Sequence, residues 1–176
     1  MWNLKDKTVV ITGATNGIGK AAALELAKQG PKLLLTFRNQ ELADNLLAEI
    51  KTAAPDVSVE LIYCDFSMQS SIRECSKEII ASQDKIDVLI NNAGVVNTSY
   101  HETSEGIENT FAVNHLGYFL FTNLLLNKMK GPEESRIINV SSAAHSFVKD
   151  MNWENINFKD DFGQGMQVYG LSLIHI

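Results

Sequence analysis

Residues 8–19 of this 176-residue chain read TVVITGATNGIG, a β-branched run followed by a glycine-rich turn. Its first five residues are all β-branched and predict a buried strand, and a helical pattern starts at Gly17. The turn between them carries Gly13, Gly17 and Gly19. A dinucleotide pyrophosphate needs close backbone approach and free N–H groups at a helix N-terminus, and these glycines supply both conditions. The spacing G-x-x-x-G-x-G therefore indicates a phosphate-binding turn, with a tight turn that binds no ligand as the alternative.

Short apolar runs alternate with longer helical patterns along the rest of the chain, which predicts βαβ units and a parallel sheet. Strands are predicted at residues 8–12, 33–37, 57–63, 86–90 and 136–140, and helices at 17–29, 40–53, 68–82, 104–130 and from 166 onward. In the first helix, Ile18, Ala22 and Leu26 are expected on one face. Residues 142–165 lack a sustained period and predict a long loop. The expected fold class is α/β, a Rossmann-type doubly wound parallel sheet with its first five strands present and its C-terminal part missing.

The composition excludes several classes of protein. Hydrophobic residues make up 45% of the chain and charged residues 20%, which excludes disorder and fits a single domain. With 21 Asp+Glu against 15 Lys+Arg, the net charge of −6 has the wrong sign for nucleic-acid binding. The pattern shows no signal peptide or membrane span, and Cys64 and Cys75 have neither metal-ligand spacing nor disulfide density. We therefore expect a cytoplasmic protein with two ordinary buried thiols.

The residue after the second predicted strand bears on the choice of cofactor. An acidic side chain there would bind a ribose 2′-hydroxyl, whereas a basic one would accommodate a 2′-phosphate. Arg38 occupies this position, and a guanidinium can hold a phosphate by two charge-assisted hydrogen bonds. NADP(H) is therefore favoured over NAD(H), with an exposed surface arginine as the alternative.

Three further motifs give the chain a family resemblance. N-N-A-G at residues 91–94 follows the fourth predicted strand, S-S at 141–142 follows the fifth, and Y-G-L-S at 169–172 lies in the last helix. With the glycine turn, they make the chain resemble the short-chain dehydrogenase/reductase family from about residue 5 to residue 172. The S-S-A-A-H run, the loop insertion and Arg38 make it most similar to the retinol-dehydrogenase-like branch.

The resemblance implies an NADP(H)-dependent interconversion of an alcohol and an aldehyde or ketone, on a lipophilic substrate that is retinoid-like or aliphatic. Tyr169 is implied to be the acid that gives a proton to the carbonyl oxygen. Ser142 is implied to orient that oxygen, and Asn114 to hold a water of the proton relay. The implied cofactor contacts are Gly13, Asn16, Gly17, Ile18, Gly19, Arg38, Asp65, Asn91, Ala93 and Gly94. A structural role for Asn91 in stabilising its turn is compatible with cofactor contact.

The chain departs from the family pattern Tyr-x-x-x-Lys at Leu173. Residues four apart share a helix face, so the missing ammonium would lie beside the phenol and favour phenolate. One interpretation is a truncated or misread product whose natural sequence continues with lysine and the rest of the domain. The other is a catalytically inactive NADP-binding protein. His175 is a poor substitute cation, because six residues from Tyr169 it lies on a different helix face.

Other segments keep two interpretations each. The apolar run at residues 115–121 fits either a homodimer contact or a core helix. His145 could touch substrate or cap its loop, and the loop-structural role is favoured. The aromatic residues of the insertion, Trp153, Phe158 and Phe162, either line a substrate pocket or anchor the loop.

Because a truncated sheet exposes an edge strand and apolar helix surface, we expect poor solubility.

Overall fold

Five parallel strands form the centre of the protein in a computed structural model that describes residues 3–131, 134–151 and 153–174. The strands are β1 (Thr8–Ile11), β2 (Lys32–Phe37), β3 (Ser58–Tyr63), β4 (Val88–Asn91) and β5 (Arg136–Asn139). Their order in the sheet is β3-β2-β1-β4-β5, and every adjacent pair is parallel. The predicted α/β class and doubly wound sheet are confirmed.

Helices connect these strands in the order that the sequence predicts. They are α1 (Gly17–Ala27), α2 (Gln40–Ala53), α3 (Gln69–Ser82), the short α4 (Asn109–Phe111), α5 (Gly117–Met129) and α6 (Met166–Leu173). A π-helical segment, Ala112–Leu116, joins α4 to α5, and a 3₁₀ helix, Ala143–Phe147, follows β5. Within the described residues, no helix combines the length and the apolarity needed to cross a membrane.

The alternating side chains of the strands build one core on each face of the sheet. Val9 and Leu33 pack in the core that includes residues of α1 and α2, whereas Val10 and Leu34 pack in the core that includes residues of α3 and α5. Right-handed crossovers produce this division, because the chain runs outward from β1 to β3 and then returns to place β4 on the other side of β1. The strand order therefore reverses between β1 and β4, where doubly wound sheets open a crevice at the carboxyl ends of their strands.

The face of α1 that carries Ile18, Ala22 and Leu26 is not its most buried face. The residues that α1 buries are Gly19, Ala23 and Ala27, one position further along the chain, whereas Ile18 is 69% exposed. One residue corresponds to a rotation of about 100° around a helix axis. Because the buried residues are small, α1 can pack close to the sheet, and Ile18 remains at the surface above the carboxyl ends of the strands.

The helix predicted from residue 104 starts later, at Asn109. Residues 103–107 form a turn in which Thr103 N donates to Ile107 O over 2.8 Å, and Gly106 adopts a positive φ of 74°. The buried Glu108 side chain then caps the helix, since its carboxylate accepts hydrogen bonds from the backbone N–H groups of Thr110 and Phe111. The apolar pattern alone does not show this boundary, because the boundary depends on the hydrogen bonds that the Glu108 carboxylate accepts from the backbone.

The insertion after β5 packs into a third hydrophobic core. This core comprises Phe111, Met151, Phe158, Val168 and Leu171, with Phe162 packed against it. Phe162 also makes an edge-to-face contact with Tyr100. Trp153, in contrast, is 74% exposed. Phe158 and Phe162 therefore anchor the loop, as one of the two interpretations of these aromatic residues requires.

Apolar side chains remain exposed at two places relevant to association. Ile137 and Ile138 of the edge strand β5 are exposed, and so is Phe119 of α5. Phe121, two residues further along the same helix, is fully buried. The run at residues 115–121 thus contributes to the core and still presents an apolar side chain, and both homodimerisation and poor solubility stay predictions.

At the amino end of the sheet, the Asp87 carboxylate joins β1 to β4. It accepts a hydrogen bond from Thr8 N at 2.9 Å and pairs with Lys85 Nζ at 3.0 Å and Lys7 Nζ at 3.4 Å. Burial by itself raises the pKa of Asp87, but the Thr8 hydrogen bond and the two lysines outweigh burial and hold the pKa below its ordinary value. The ionised carboxylate is therefore the form that stabilises the fold.

We predict that Asp87→Asn lowers the free energy of unfolding by about 1–3 kcal/mol at pH 7, measured by urea denaturation. The folded pKa lies below the value of about 3.9 of an unfolded aspartate, so the stabilisation is present above that pH. It is lost as the pH falls through the folded pKa, and parent and variant should then converge. Glu74→Gln, in an exposed pair with Lys77, is the control and should leave the midpoint unchanged. An equal loss in both variants would contradict this role of Asp87.

Candidate dinucleotide-binding and active site

A groove of about 580 Å³ opens at the carboxyl ends of the strands, at the point where the strand order reverses. Its walls come from the turn after β1, the residues after β2 and β3, the N-N-A-G segment after β4, and Tyr169 of α6. The predicted site residues that line it are Gly13, Asn16, Gly17, Ile18, Arg38, Asp65, Ala93, Gly94 and Tyr169. Most of the residues implied by the family resemblance therefore lie in one continuous groove.

The turn after β1 lies so close to the turn after β4 that Gly13 has no room for a side chain. A Cβ on Gly13 would lie 2.7 Å from the Ala93 Cα, and the residue adopts a positive φ of 63°. Gly13 N donates to Thr36 Oγ1 at 3.3 Å, which ties the turn to β2 as well. Glycine is thus required at this position for both conformation and space.

Gly19 also allows the turns after β1 and β4 to lie close together. It is buried and does not line the groove, and a Cβ there would collide with Asn92 Nδ2 and Gly13 O. The Asn92 amide donates to Thr12 O and Gly13 O over 3.0 and 3.1 Å, and Thr12 Oγ1 accepts hydrogen bonds from the N–H groups of Asn92 and Ala93. The sequence prediction missed Thr12 and Asn92, although Asn92 lies within the N-N-A-G motif.

The N-terminus of α1 is open toward the groove. Its N-cap residue, Asn16, makes no side-chain capping hydrogen bond, and no acidic residue lies in the first turn. Gly17 has a positive φ of 52°, and no atom lies within 4 Å of where its Cβ would be. The first N–H groups of a helix have no intrahelical acceptor, so this end is suited to bind an anion.

Arg38 and Asp65 face each other at the far end of the groove. The guanidinium Nη1 lies 4.0 Å from Asp65 Oδ1, and the Arg38 side chain is 63% exposed. Asp65 Oδ1 also accepts hydrogen bonds from Ser67 N and Ser67 Oγ at 2.9 and 2.7 Å. The carboxylate is thereby fixed, whereas the guanidinium stays available to a ligand.

Asn114 connects the groove wall to the helix of Tyr169. It lies in the π-helical segment between α4 and α5, and such segments often occur at functional sites. Asn114 Oδ1 accepts from Val95 N, and Asn114 Nδ2 donates to Val95 O and to Ser172 Oγ. Ser172 Oγ in turn donates to Tyr169 O at 2.8 Å. The buried asparagine thus holds the segment after β4 against α6.

Tyr169 lies in the groove wall, and Ser142 lies in a turn that packs against the same helix. Ser142 does not line the groove; its hydroxyl oxygen accepts from Ala144 N at 3.2 Å and caps the 3₁₀ helix. Gly170 permits the contact of this turn with α6, since a Cβ there would lie 2.6 Å from Ala144 O.

Leu173 is buried at the position of the family lysine, and His175 lies outside the described residues. Among the described residues that line the groove, Arg38 alone has a cationic side chain.

Asn91 and His145 are also absent from the lining of the groove. Asn91 is fully buried, and its amide donates to Thr122 Oγ1 at 2.9 Å and Asn139 Oδ1 at 2.7 Å, so it joins β4 to α5 and β5 instead of forming a groove wall. The Asn91 side chain therefore has a structural role, and its contact with a cofactor ribose stays a prediction. His145 is exposed, and its Nδ1 lies 2.8 Å from Ser142 O, which agrees with the loop-capping interpretation.

Comparisons with known proteins agree with this geometry. The family model described as short chain dehydrogenase matches residues 7–153. Human retinol dehydrogenase 13 is 43% identical over 152 residues, which are 84% of this chain and 46% of that protein. A protein from Mycobacterium paratuberculosis with a known crystal structure is 33% identical in sequence and superposes with a TM-score of 0.83. The match covers 98% of this chain and 59% of that protein's chain. A metagenomic short-chain oxidoreductase in complex with NADP is 28% identical with a TM-score of 0.76, covering 97% and 71% respectively.

The chain belongs to the short chain dehydrogenase family. Within that family, its similarity to retinol dehydrogenases assigns it to their branch. The chain spans about half the length of the curated relatives that it matches.

We predict that Gly13→Ala destabilises the fold and abolishes dinucleotide binding. The positive φ costs about 1–2 kcal/mol, and the collision with Ala93 adds about 1–3 kcal/mol. Gly106→Ala is the matched control, because Gly106 has a φ of 74° and no atom lies within 4 Å of its Cβ position. This control should show only the conformational cost in urea unfolding. Equal destabilisation of both variants would show that close approach at Gly13 is not required.

Proposed function

We propose that the protein is an NADP(H)-dependent oxidoreductase that interconverts an alcohol and an aldehyde or ketone. The observation that carries the proposal is the groove itself, which has an open helix N-terminus at its centre and an available arginine at its end. This arrangement fits the pyrophosphate and the 2′-phosphate of one dinucleotide. No acidic side chain follows β2 directly, since the chain there reads Phe37-Arg38-Asn39.

The proposed contacts follow from the charge and shape of the groove. The N–H groups of residues 17–19 would bind the pyrophosphate, and Gly17 leaves space for its close approach. Arg38 would bind the 2′-phosphate in two charge-assisted hydrogen bonds. Asp65 would accept a hydrogen bond from the adenine, and Ala93 and Gly94 would form the wall beside the riboses. The bound cofactor would supply the hydride, and the remaining chemistry belongs to the protein.

The proton is proposed to come from Tyr169. It lies in the wall of the groove on α6, whose position Asn114 fixes through Ser172. Ser142 would orient the substrate oxygen once its hydroxyl turns away from Ala144 N. Asn114 already uses its side-chain amide on Val95 and Ser172, so its proposed part in holding a relay water would have to coexist with these bonds.

A lipophilic substrate is proposed from the lining of the groove and from the relatives. Val95, Val96, Val113 and Val140 line the groove beside Tyr169, and the relatives include proteins described as retinol dehydrogenases. A retinoid-like or aliphatic alcohol or carbonyl compound would match these apolar walls.

A single dinucleotide-binding domain, a homodimer and a cytoplasmic location are further proposals made from the sequence.

The alternative is a catalytically inactive NADP-binding protein. Leu173 is the observation that favours it, because an ammonium at this position would hold the nicotinamide ribose and favour phenolate at Tyr169 in the family pattern. The contacts proposed for the pyrophosphate and the 2′-phosphate do not involve Leu173. Binding of NADP(H) is therefore common to both functions, and turnover separates them.

We predict that Arg38→Gln weakens NADPH binding and leaves NADH binding nearly unchanged. Loss of charge-assisted bonds to the 2′-phosphate costs about 1.5–3 kcal/mol, or roughly ten- to a hundredfold in Kd. Calorimetric titration with each cofactor measures both affinities. Arg73→Gln, at an exposed position on α3, is the control and should retain the parental preference. An unchanged ratio of the two Kd values in Arg38→Gln would refute selection of NADP(H) by this arginine.

A second variant distinguishes the enzyme from the inactive binding protein. If the chain is an enzyme weakened at position 173, Leu173→Lys should raise NADPH-dependent reduction of an apolar aldehyde by about a hundredfold, the lower end of acid–base contributions. Leu173→Met keeps an apolar side chain there and should show no gain. NADPH binding without turnover in the parent and in Leu173→Lys would favour the inactive binding protein.

A further inference from the structure

The turn before α1 contains the dipeptide Asn16-Gly17, which has a chemical reactivity of its own. The side-chain amide of an asparagine can react with the backbone nitrogen of the next residue and close a five-membered imide ring. A glycine in the next position favours this reaction, because it puts no Cβ in the way of the approaching side chain. The sequence contains this one Asn-Gly pair and no Asp-Gly pair.

The structure leaves both residues the freedom that ring closure requires. Asn16 and Gly17 are exposed, and no atom lies within 4 Å of the position that a Gly17 Cβ would take. As the first residue of α1, Gly17 has an N–H without an intrahelical acceptor. The Asn16 carbonyl accepts a hydrogen bond from Lys20 N at 3.1 Å, but this bond belongs to the first turn of the helix, where helices fray.

Hydrogen bonds distinguish Asn16 from the other asparagines that line the groove, Asn39 and Asn92. Asn39 caps α2, since its Oδ1 accepts from Leu42 N at 3.0 Å. The Asn92 amide donates to two main-chain oxygens of the turn after β1. Asn16 is also an N-cap residue, but its side chain makes no capping hydrogen bond to α1. Its amide can therefore turn toward the Gly17 nitrogen without losing such a bond.

We propose that Asn16 is a site of spontaneous deamidation, which places a carboxylate at the N-terminus of α1. The Gly17 nitrogen attacks Asn16 Cγ and forms a C–N bond, and the side-chain nitrogen leaves as ammonia with the Gly17 proton. Water then opens the imide. Opening at Cγ gives aspartate, and opening at the main-chain carbonyl carbon gives isoaspartate. The reaction consumes one water and releases one ammonia, and it needs no oxidant or reductant.

The new carboxylate would compete for the N–H groups that the proposed function assigns to the pyrophosphate. Aspartate is a favourable N-cap residue, so its oxygens would accept from the N–H groups of residues 18 and 19. The added negative charge also repels a phosphate. Isoaspartate lengthens the main chain by one carbon just before Gly17. Deamidation would thus close the groove to a dinucleotide. This consequence rests on the proposed function, whereas the deamidation itself does not.

Peptide mass spectrometry of the folded chain, incubated at mildly alkaline pH, tests the modification. We expect both products at residue 16, seen as replacement of NH₂ by OH and separated by electron-transfer fragmentation. Asn45, exposed on α2 and followed by Leu46, is the internal control and should stay intact. Asn16→Gln should give no product, because its imide would need a six-membered ring. An Asn16 that stays intact in the folded chain, while the urea-unfolded chain is deamidated there, would overturn the proposal.

The effect on the groove is tested by comparing Asn16→Asp with Asn16→Gln in calorimetric titrations with NADP+. Asn16→Asp should bind roughly ten- to a hundredfold more weakly, because its carboxylate competes for the N–H groups of the helix. Its urea midpoint should be at least as high as that of Asn16→Gln, because aspartate caps the helix. Equal Kd values for the two variants would refute closure of the groove by deamidation.

The same site should be shielded when the groove is occupied. With NADP+ at ten times the Kd that calorimetry gives for the parent, about one chain in eleven has an empty groove, so deamidation should slow about tenfold. An unchanged rate with NADP+ demonstrably bound would refute the shielding. Absence of binding to the unmodified parent would instead refute the proposed function, and mass spectrometry of the free chain would still decide whether Asn16 is deamidated.

Discussion

The structure depends on the close approach of two turns at the carboxyl ends of β1 and β4. Gly13 faces Ala93, and Gly19 lies against Asn92, at distances that no Cβ would allow. Hydrogen bonds from the Asn92 amide and to the Thr12 hydroxyl hold the two turns together. Because the turns meet, the N-terminus of α1 is directed into the crevice between β1 and β4. The proposed phosphate-binding groove therefore depends on this contact between the two turns.

The groove divides into a binding half and a chemical half, and the two rest on different parts of the fold. In the proposed function, the binding half would use backbone N–H groups and Arg38, which the first two βα units supply. The chemical half would use Tyr169, whose helix is held by hydrogen bonds of Asn114 through Ser172. The third core anchors the insertion that leads to this helix. Substitution of Leu173 therefore affects the chemical half and leaves the phosphate-binding turn intact.

The sequence predicted the order of strands and helices along the chain well, because β-branched runs and glycine-rich turns determine local structure. It also predicted most groove residues, since the motifs lie at strand ends that a parallel sheet brings to one edge. The pattern in α1 gave weight to the face of Ile18 because isoleucine is strongly hydrophobic, whereas the residues that the helix buries are Gly19, Ala23 and Ala27. The structural role of Asn91 was not evident because its partners, Thr122 and Asn139, are distant in sequence. Thr12 was missed because its hydroxyl accepts a hydrogen bond from Asn92 N, which is distant in sequence. Glu108 was missed because its role consists of hydrogen bonds from nearby backbone N–H groups, which composition does not reveal.

In the proposed binding mode, NADP(H) places its pyrophosphate at the N-terminus of α1 and its 2′-phosphate on Arg38. Amide chemical-shift mapping of the ¹⁵N-labelled chain during titration with NADP+ tests this binding mode. We expect saturable shifts at the amides of Gly13 and residues 17–19 and at the Arg38 side chain, with Asp87 at the opposite end of the sheet unchanged. Absence of shifts in the folded chain, or shifts confined to surfaces away from these residues, would contradict it.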